Sequence, residues 1–330
     1  MKILITCVGR RVSLVRSFQG AARELGMQVE LLGTDTTGLS PALRVCDKGF
    51  IVKPTNHRGY VNQLLSIVKK NGVRLLIPTV DLDLMVLAEK KGLFEKAGCK
   101  VLVSEPGIVR ICQDKRKTYR FLVKHEFDTP ATLSAGTVLS KKKIKWPYFV
   151  KPWDGYASRG TAKVRNRREL LFYSKHIPNP ICQEFIEGPE FTCDVYVDFD
   201  MDVRCVVPRK RIEVRGGEVS KGQIIKDERI MGECARLVKE LGAGPGVITI
   251  QLILSKDGAI KFIEVNPRFG GGAPLSIKAG ADFPKWLLQE VAGERPEIAF
   301  DGFKDRLVML RYDGEVWLSD SDDGGLILDV

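Results

Sequence analysis

Residues 249–272 read TIQLILSKDGAIKFIEVNPRFGGG and decide the fold of the chain. Two runs of β-forming residues surround the turn sequence at 256–258, which predicts a β-hairpin. Glu264 and Asn266 are two residues apart on the return strand, so their side chains share one face of the sheet. Pairing across the hairpin can bring Gln251 onto that face. The predicted surface is a patch of side-chain oxygens with little net charge, which suits Mg²⁺ bound through phosphates.

The hairpin is followed by Arg268 and by glycines at 270–272, where the backbone can come close to a ligand. An ordinary hairpin that ends in a glycine-rich loop is the alternative interpretation. The sequence E-V-N-P-R, beside a glutamine in the partner strand, resembles the metal-binding hairpin of the ATP-grasp superfamily, and most closely its carbamoyl-phosphate synthase large-subunit branch. This resemblance implies that Gln251, Glu264 and Asn266 hold Mg²⁺, with Mn²⁺ as a substitute, against the phosphates of ATP. It also implies that Arg268 meets the transferring phosphoryl group.

The length and composition of the chain narrow the choice of class. Its 330 residues are enough for two or three subdomains with their own cores. No apolar run approaches the ~18 residues that a membrane span needs, and the start, MKILITCVGRR, has no small-residue cleavage site behind it. Eight scattered cysteines without a C-x-x-C pair, and only three histidines, argue against zinc. We therefore expect a cytoplasmic protein with free thiols and no membrane partner.

The formal net charge is +11, and the segment after Arg311 contains no lysine or arginine. Such a charge suits phosphate-bearing ligands, acidic small substrates or nucleic acid, and does not choose among them. One basic cluster comprises Lys141, Lys142, Lys143, Lys145, Arg165, Arg167 and Arg168. We interpret it as a solvated surface, because no aromatic interleaving or nucleic-acid module accompanies it. Nucleic acid is therefore not an expected partner.

Strands alternate with helices over residues 1–110, which predicts a parallel, doubly wound α/β domain. Ligands of such sheets bind at the carboxyl ends of the strands, which places 9–10, 34–35 and 79–81 along one edge. Helix capping is an alternative role for the acids at this edge. A dinucleotide site is disfavoured, because C-V-G-R-R-V-S lacks the G-x-G-x-x-G fingerprint. The resemblance implies a pre-ATP-grasp domain that forms part of the substrate wall.

The next segment carries the predicted phosphate-binding residues. Lys115 follows an aspartate that begins a predicted helix, and this D-K step matches the point where ATP-grasp chains enter their lid subdomain. Lys151 ends the strand YFVKP and is expected to point into the cleft. The loop WDGYASRG follows, where Gly155, Ser158 and Gly160 offer backbone N–H groups to phosphate. A simple hairpin turn is the alternative, and this chain lacks the glycine that usually leads the family's loop.

The segment PICQEFIEGPEFT at 180–192 resembles the hinge that holds adenine in this family. The resemblance implies that the side chain of Gln183 accepts from the exocyclic amine. It also implies that backbone groups of Glu184 and Ile186 read the purine edge, and that Glu190 bonds the ribose hydroxyls. An edge strand with a Gly-Pro corner is the alternative.

Two further stretches complete the chain. The cation-rich sequence VRCVVPRKRIEVRGGEVSKGQI predicts a pair of strands, along which alternation lets one set of cations face the cleft. We expect Arg211 or Arg215 near the γ-phosphate. Near the end, VMLRYDGEVWL predicts a final hairpin.

The ordered motifs predict a Rossmann-like α/β pre-ATP-grasp domain at 1–110, followed by a two-subdomain α+β ATP-grasp fold. The lid is expected at 111–182 and the C-terminal subdomain at 183–330. The resemblance implies an ATP-dependent ligase that activates a small-molecule carboxylate as an acyl phosphate and joins it to an amine or similar nucleophile. The alternatives are phosphorylation of bicarbonate or carbamate, as in carbamoyl-phosphate synthase, and a nucleotide-binding module without turnover. Small-molecule substrates are the expected partners, with a homodimer as a further option.

Overall fold

The computed structural model describes residues 1–155, 159–320 and 326–328. The N-terminal part alternates strands and helices: β1 (Lys2–Thr6), α1 (Val12–Glu24), β2 (Glu30–Asp35), α2 (Pro41–Arg44), β3 (Lys48–Ile51), α3 (Tyr60–Asn71), β4 (Leu75–Pro78), α4 (Asp81–Glu95), β5 (Lys100–Val101) and α5 (Pro106–Cys112).

These strands form a parallel sheet in the order β3-β2-β1-β4-β5. Along β1, Ile3 and Ile5 belong to one buried cluster and Leu4 belongs to another, because successive side chains leave opposite faces of the sheet. Burial on both faces explains why β1 is a continuous apolar run rather than an alternating one. The predicted doubly wound α/β domain is confirmed.

Three helices and a small antiparallel sheet follow: α6 (Lys115–Lys124), β6 (Thr132–Leu133), α7 (Ala135–Leu139), β7 (Tyr148–Pro152), β8 (Ala162–Val164), α8 (Arg167–His176) and β9 (Pro180–Glu184). Its strand order is β6-β9-β7-β8. Asp114 caps α6, since its Oδ1 accepts from the backbone N–H of Arg116 at 2.9 Å. The expected lid boundary at residue 182 falls inside β9, which runs to Glu184.

The C-terminal part is built on an antiparallel sheet of order β14-β13-β10-β11-β12-β15. Its elements are β10 (Glu190–Val197), β11 (Val203–Arg215), β12 (Glu218–Ile224), α9 (Glu228–Leu241), β13 (Gly246–Leu254), β14 (Ile260–Asn266), α10 (Ala273–Lys278), α11 (Phe283–Ala292) and β15 (Val308–Leu310), followed by a separate pair, β16 (Leu318–Asp320) and β17 (Leu326–Leu328). The hairpin predicted from residues 249–272 is confirmed as β13 and β14. Helix α9 buries Ile230 and Leu237 behind the sheet.

The final hairpin predicted from VMLRYDGEVWL is wrong. Strand β15 pairs with the edge of β12, where Lys221 lies opposite Leu310, and β16 pairs instead with β17. Just after β15, the backbone N–H of Arg311 donates to the Ser220 carbonyl at 2.9 Å, and its guanidinium lies 3.2 Å from Glu218. These contacts hold the segment on the larger sheet, so a local turn does not form.

The eight cysteines are free thiols, six of them buried. No helix among the described residues is long and apolar enough to cross a membrane.

Candidate active site

A cavity of about 570 Å³ lies where the three larger sheets meet. The N-terminal part contributes the carboxyl end of β4 at 79–82, and the small sheet contributes β7 and β9. The inner face of the large sheet closes the remaining side, together with the glycines at 270–272. Residues from the D-K step, the lysine strand, the hinge, the cation-rich strands and the metal-binding hairpin therefore line one cavity.

Three oxygen-bearing side chains share the hairpin face of this cavity. Gln251 lies directly opposite Glu264, and Thr249 lies opposite Asn266, so period-2 alternation places Gln251, Glu264 and Asn266 on one side. All three line the cavity. A register shift after Gln251 leaves this pairing intact and displaces the outer half of the hairpin.

Two lysines, from α6 and β7, approach the same hairpin face. Lys151, at the end of β7, is only 6% exposed, lines the cavity and makes no ion pair with the described residues. Burial lowers the pKa of Lys151 to about 8, while the nearby Glu264 acts in the opposite direction. Lys115 donates to the Gly155 carbonyl at 2.6 Å, and its Nζ lies 3.8 Å from the Glu264 carboxylate. Two ammonium groups thus lie near the Glu264 carboxylate, which forms an ion pair with Lys115.

The predicted hinge at 183–186 forms another part of the cavity wall. Gln183 is buried, and its side-chain amide donates to the Thr132 hydroxyl at 3.1 Å, which leaves the amide oxygen as the acceptor. The backbone N–H of Glu184 donates to the Ala131 carbonyl at 2.8 Å. Glu184 and Ile186 both line the cavity at this hinge.

Glu190 and Arg211 form a pair at the start of the large sheet's inner face. The Arg211 Nε lies 3.3 Å from Glu190 Oε1, and Arg211 also donates to the Thr192 hydroxyl and to the Gly217 carbonyl, both at 3.3 Å. Burial raises the pKa of Glu190, and the guanidinium of Arg211 opposes that rise. Both residues line the cavity, as the sequence predicts.

Arg215 does not reach the cavity, which corrects the prediction for this residue. The pairing of β11 with β12 shifts register on both sides of Glu213, and these shifts interrupt the alternation. Val214 consequently lines the cavity, and Arg215 is turned outward to pair with Asp313, its side chain 63% exposed.

The glycine loop after β7 is only partly placed at the cavity. Gly155 lines it, whereas Gly160 has φ +64 and packs near Pro152 without lining the wall. Ser158 lies outside the described residues, so its predicted phosphate contact stays a prediction.

Arg268 bridges the hairpin and the N-terminal sheet. Its Nε and NH2 groups donate to the two carboxylate oxygens of Asp81 at 3.0 and 2.6 Å, and its NH1 donates to the Phe269 carbonyl at 3.2 Å. Asp81 begins α4, so this bidentate pair fixes the cavity wall across 187 residues of sequence.

Arg11 was not predicted from the sequence as a site residue, although it also lines the cavity and donates to the Thr79 carbonyl at 3.1 Å. Its position directly after the predicted sheet-edge segment at 9–10 is the sequence feature that could have indicated it.

The glycine loop after the hairpin packs directly on charged side chains. A Cβ on Gly272 would come within 2.1 Å of the Arg209 NH1 atom. Arg209 is buried in a bidentate pair with Asp194, with both contacts at 2.8 Å. The Ser276 hydroxyl donates to the same carboxylate at 2.7 Å. Glycine at 272 is therefore a steric requirement of the buried pair beneath it.

Comparison with known protein families agrees with this architecture. Residues 112–272 match the model of the ATP-grasp domain, and residues 3–102 match the PylC-like, N-terminal domain. The chain thus carries an ATP-grasp domain behind a PylC-like N-terminal domain, and the resemblance drawn from the hairpin is confirmed.

Individual relatives place the chain among proteins similar to the carbamoyl phosphate synthase large chain. The large chain of Thermoplasma acidophilum is 25% identical over 283 residues, which cover 78% of this chain and 26% of that protein. This chain therefore spans about a quarter of the length of that relative.

Two solved structures have a similar fold. One is N5-carboxyaminoimidazole ribonucleotide synthetase from Thermotoga maritima, with a TM-score of 0.68 and 20% identity over 95% of this chain and 81% of that chain. The other is L-amino acid ligase from Bacillus licheniformis, with a TM-score of 0.66 and 21% identity over 88% of this chain and 73% of that chain. At these identities the likeness concerns the fold.

Proposed function

We propose that this chain is an ATP-dependent ligase that joins a small-molecule carboxylate to an amine. The γ-phosphoryl group of ATP is transferred to a carboxylate oxygen, which yields ADP and an acyl phosphate. The amine then attacks the acyl carbon, the bond from that carbon to the phosphate oxygen breaks, and the amine loses a proton. This sequence needs no protein nucleophile, so alignment and charge neutralisation carry the catalysis.

The placement of Lys151 supports the proposal most. A buried ammonium group without an ion-pair partner is unfavourable, and it is retained where an anionic ligand supplies the missing charge. Lys151 faces the cavity beside Lys115 and opposite the hairpin's oxygen face. Phosphate groups between these two sides would satisfy both lysines.

The remaining residues divide between the base, the ribose and the reacting phosphate. The amide oxygen of Gln183, the carbonyl of Glu184 and the N–H of Ile186 would hold adenine at the hinge. Glu190, held by Arg211, would accept from the ribose hydroxyls. Arg211 is also the remaining candidate of the predicted pair for a place near the γ-phosphate.

The hairpin face fits a divalent cation of the magnesium type. Gln251, Glu264 and Asn266 offer hard oxygen donors on one side of the sheet, which is the donor type that Mg²⁺ takes, and Mn²⁺ accepts the same set. The described part of the chain has no group of three or more His, Cys, Asp and Glu residues that could hold a metal, and the hairpin face contributes one carboxylate, Glu264. When bound, the cation supplies neutralisation of phosphate charge. Arg268, fixed by Asp81, adds a second positive group next to that face.

The first experiment is an ADP-release screen of the purified chain with Mg²⁺, ATP and pools of carboxylic acids, each with and without amines. We expect ADP release that requires both an acid and an amine. Release with bicarbonate alone would indicate the carbamoyl-phosphate-synthase-like reaction instead. Binding of Mg·ATP without ADP release in any pool would indicate a nucleotide-binding module. The described residues favour neither alternative; a homodimer and a cytoplasmic location stay predictions.

A further inference from the structure

Besides Lys151, a second positively charged side chain that lines the cavity, Arg11, makes no ion pair with the described residues. Arg11 lies at the start of α1, and among the described residues its side chain donates a hydrogen bond to the Thr79 carbonyl at 3.1 Å. It makes no ion pair with any described carboxylate. Burial, and then the neighbouring Arg268, lower the pKa of Arg11 to about 10, so the guanidinium stays charged at neutral pH.

The nearby acids are already paired with other arginines. Asp81 accepts both of its hydrogen bonds from Arg268, at 3.0 and 2.6 Å. Glu218 lies 3.2 Å from Arg311. The charge on Arg11 is therefore the excess at this end of the cavity, and a single negative group on a ligand would balance it.

The strand register places Arg11 at the end of the cavity away from the hinge. Along β10, Glu190 begins the strand nearest the hinge, and Asp194 lies four residues further, opposite Thr249. At about 3.4 Å per residue, this step covers roughly 14 Å. The loop at Gly271 lies at the far end, where an added Cβ would be 3.3 Å from the Arg11 NH1 atom. The reacting carboxylate would lie at the hairpin's oxygen face. Arg11 therefore lies beyond that carboxylate, on the side away from the hinge.

Building on the proposed ligase function, we infer that Arg11 binds a second, unreacting carboxylate of the acid substrate. The substrate class is then an acid with two ionised carboxylates, such as a dicarboxylic acid or an acidic amino acid. A guanidinium binds a carboxylate through two parallel N–H groups, and one excess charge matches one carboxylate better than a doubly charged phosphate ester. The loop at 270–272, without side chains, leaves space for the remainder of a small acid.

Calorimetric titration tests this assignment without requiring turnover. The full chain, with ADP and Mg²⁺ present, is titrated with succinate, glutarate and glutamate, and with their singly carboxylated counterparts propionate, butyrate and 4-aminobutyrate. We expect the diacids to bind roughly tenfold to a hundredfold more tightly, the range of one charge-assisted hydrogen-bonded contact. Arg11→Gln removes that preference, and Arg11→Lys, which keeps the charge, retains part of it. The control Arg16→Gln changes an exposed arginine on the same helix and leaves the preference intact.

Three results would overturn the assignment: equal affinity for both classes, no binding of any diacid, or an unchanged preference in Arg11→Gln. The ADP affinity measured at the start of each titration tests the proposed function separately. A wild-type chain that binds diacids but not ADP would refute the ligase and leave the carboxylate site standing. If Arg11→Gln does not fold, the comparison of Arg11→Lys with wild type still decides, since a lysine cannot form the parallel pair of hydrogen bonds.

Discussion

Replacing Lys151 with methionine should make the protein more stable and less able to bind ATP. The side chain is 6% exposed, and burial lowers its pKa to about 8 from an ordinary value near 10.4. The difference of roughly 2.4 pKa units corresponds to about 3 kcal/mol of unfavourable free energy for the charged form at neutral pH. Methionine has a similar length and carries no charge, so Lys151→Met avoids this cost.

The lowered pKa of Lys151 also predicts how the stability gain of Lys151→Met changes with pH. The folded pKa lies below the unfolded one, so the unfavourable contribution of Lys151 is fully present below about pH 8. It is relieved as the pH rises toward the unfolded value near 10.4, since the unfolded chain then binds more protons than the folded chain. The stability advantage of Lys151→Met should therefore be largest at pH 7 and should shrink between pH 8 and pH 10.

Urea unfolding at several pH values measures the stability, and calorimetry measures the affinity for Mg·ATP. We expect ATP affinity to fall roughly tenfold to a hundredfold, the range for loss of one charge-assisted contact. Lys69→Met, at an exposed site on α3, is the matched control and should change neither quantity. A Lys151→Met protein that is less stable than wild type at pH 7, or that binds ATP with unchanged affinity, would refute the reasoning.

Three further substitutions separate the roles of the site. Glu264→Gln keeps the shape of the hairpin face but removes its charge. The rate of ADP release should therefore fall by about two orders of magnitude, or ~3 kcal/mol, while ADP binding weakens less. Turnover at the wild-type rate would contradict this. Gly272→Ala places a Cβ 2.1 Å from an Arg209 nitrogen and should lower the free energy of unfolding, measured in urea, by about 1–3 kcal/mol. The control Gly232→Ala, at a helical position with open space around it, should not lower that free energy. Arg215→Ala should leave turnover within about twofold of wild type, because that side chain forms an exposed ion pair outside the cavity; a large loss would restore it to the site.

The parts of the site that depend on local periodicity could be predicted from the sequence. The common face of Gln251, Glu264 and Asn266 follows from a turn and a two-residue repeat, and both are properties of adjacent residues. The parallel sheet likewise follows from alternating apolar strands and helices. Lys151 was predicted at the cavity for the same reason, since its strand ends there.

The parts that depend on packing between distant segments were not predictable. The register shifts around Glu213, which turn Arg215 outward, have no signature in the alternating cations. The bidentate contact of Arg268 with Asp81 joins residues 187 positions apart and requires the relative placement of two sheets. Arg11 was not predicted, because its contact with the Thr79 carbonyl joins residues 68 positions apart.

Anomalous diffraction from Mn²⁺, in crystals grown with ADP, would locate the metal and the nucleotide together. Mn²⁺ accepts the same oxygen ligands as Mg²⁺ and gives a signal that water and Mg²⁺ do not. We predict a peak within coordination distance of Glu264 and Asn266, with the ADP phosphates between that peak and Lys151 and the adenine at the Gln183 end of the cavity. A nucleotide bound elsewhere, or a metal peak away from the hairpin face, would contradict the assignment of this cavity as the ATP site.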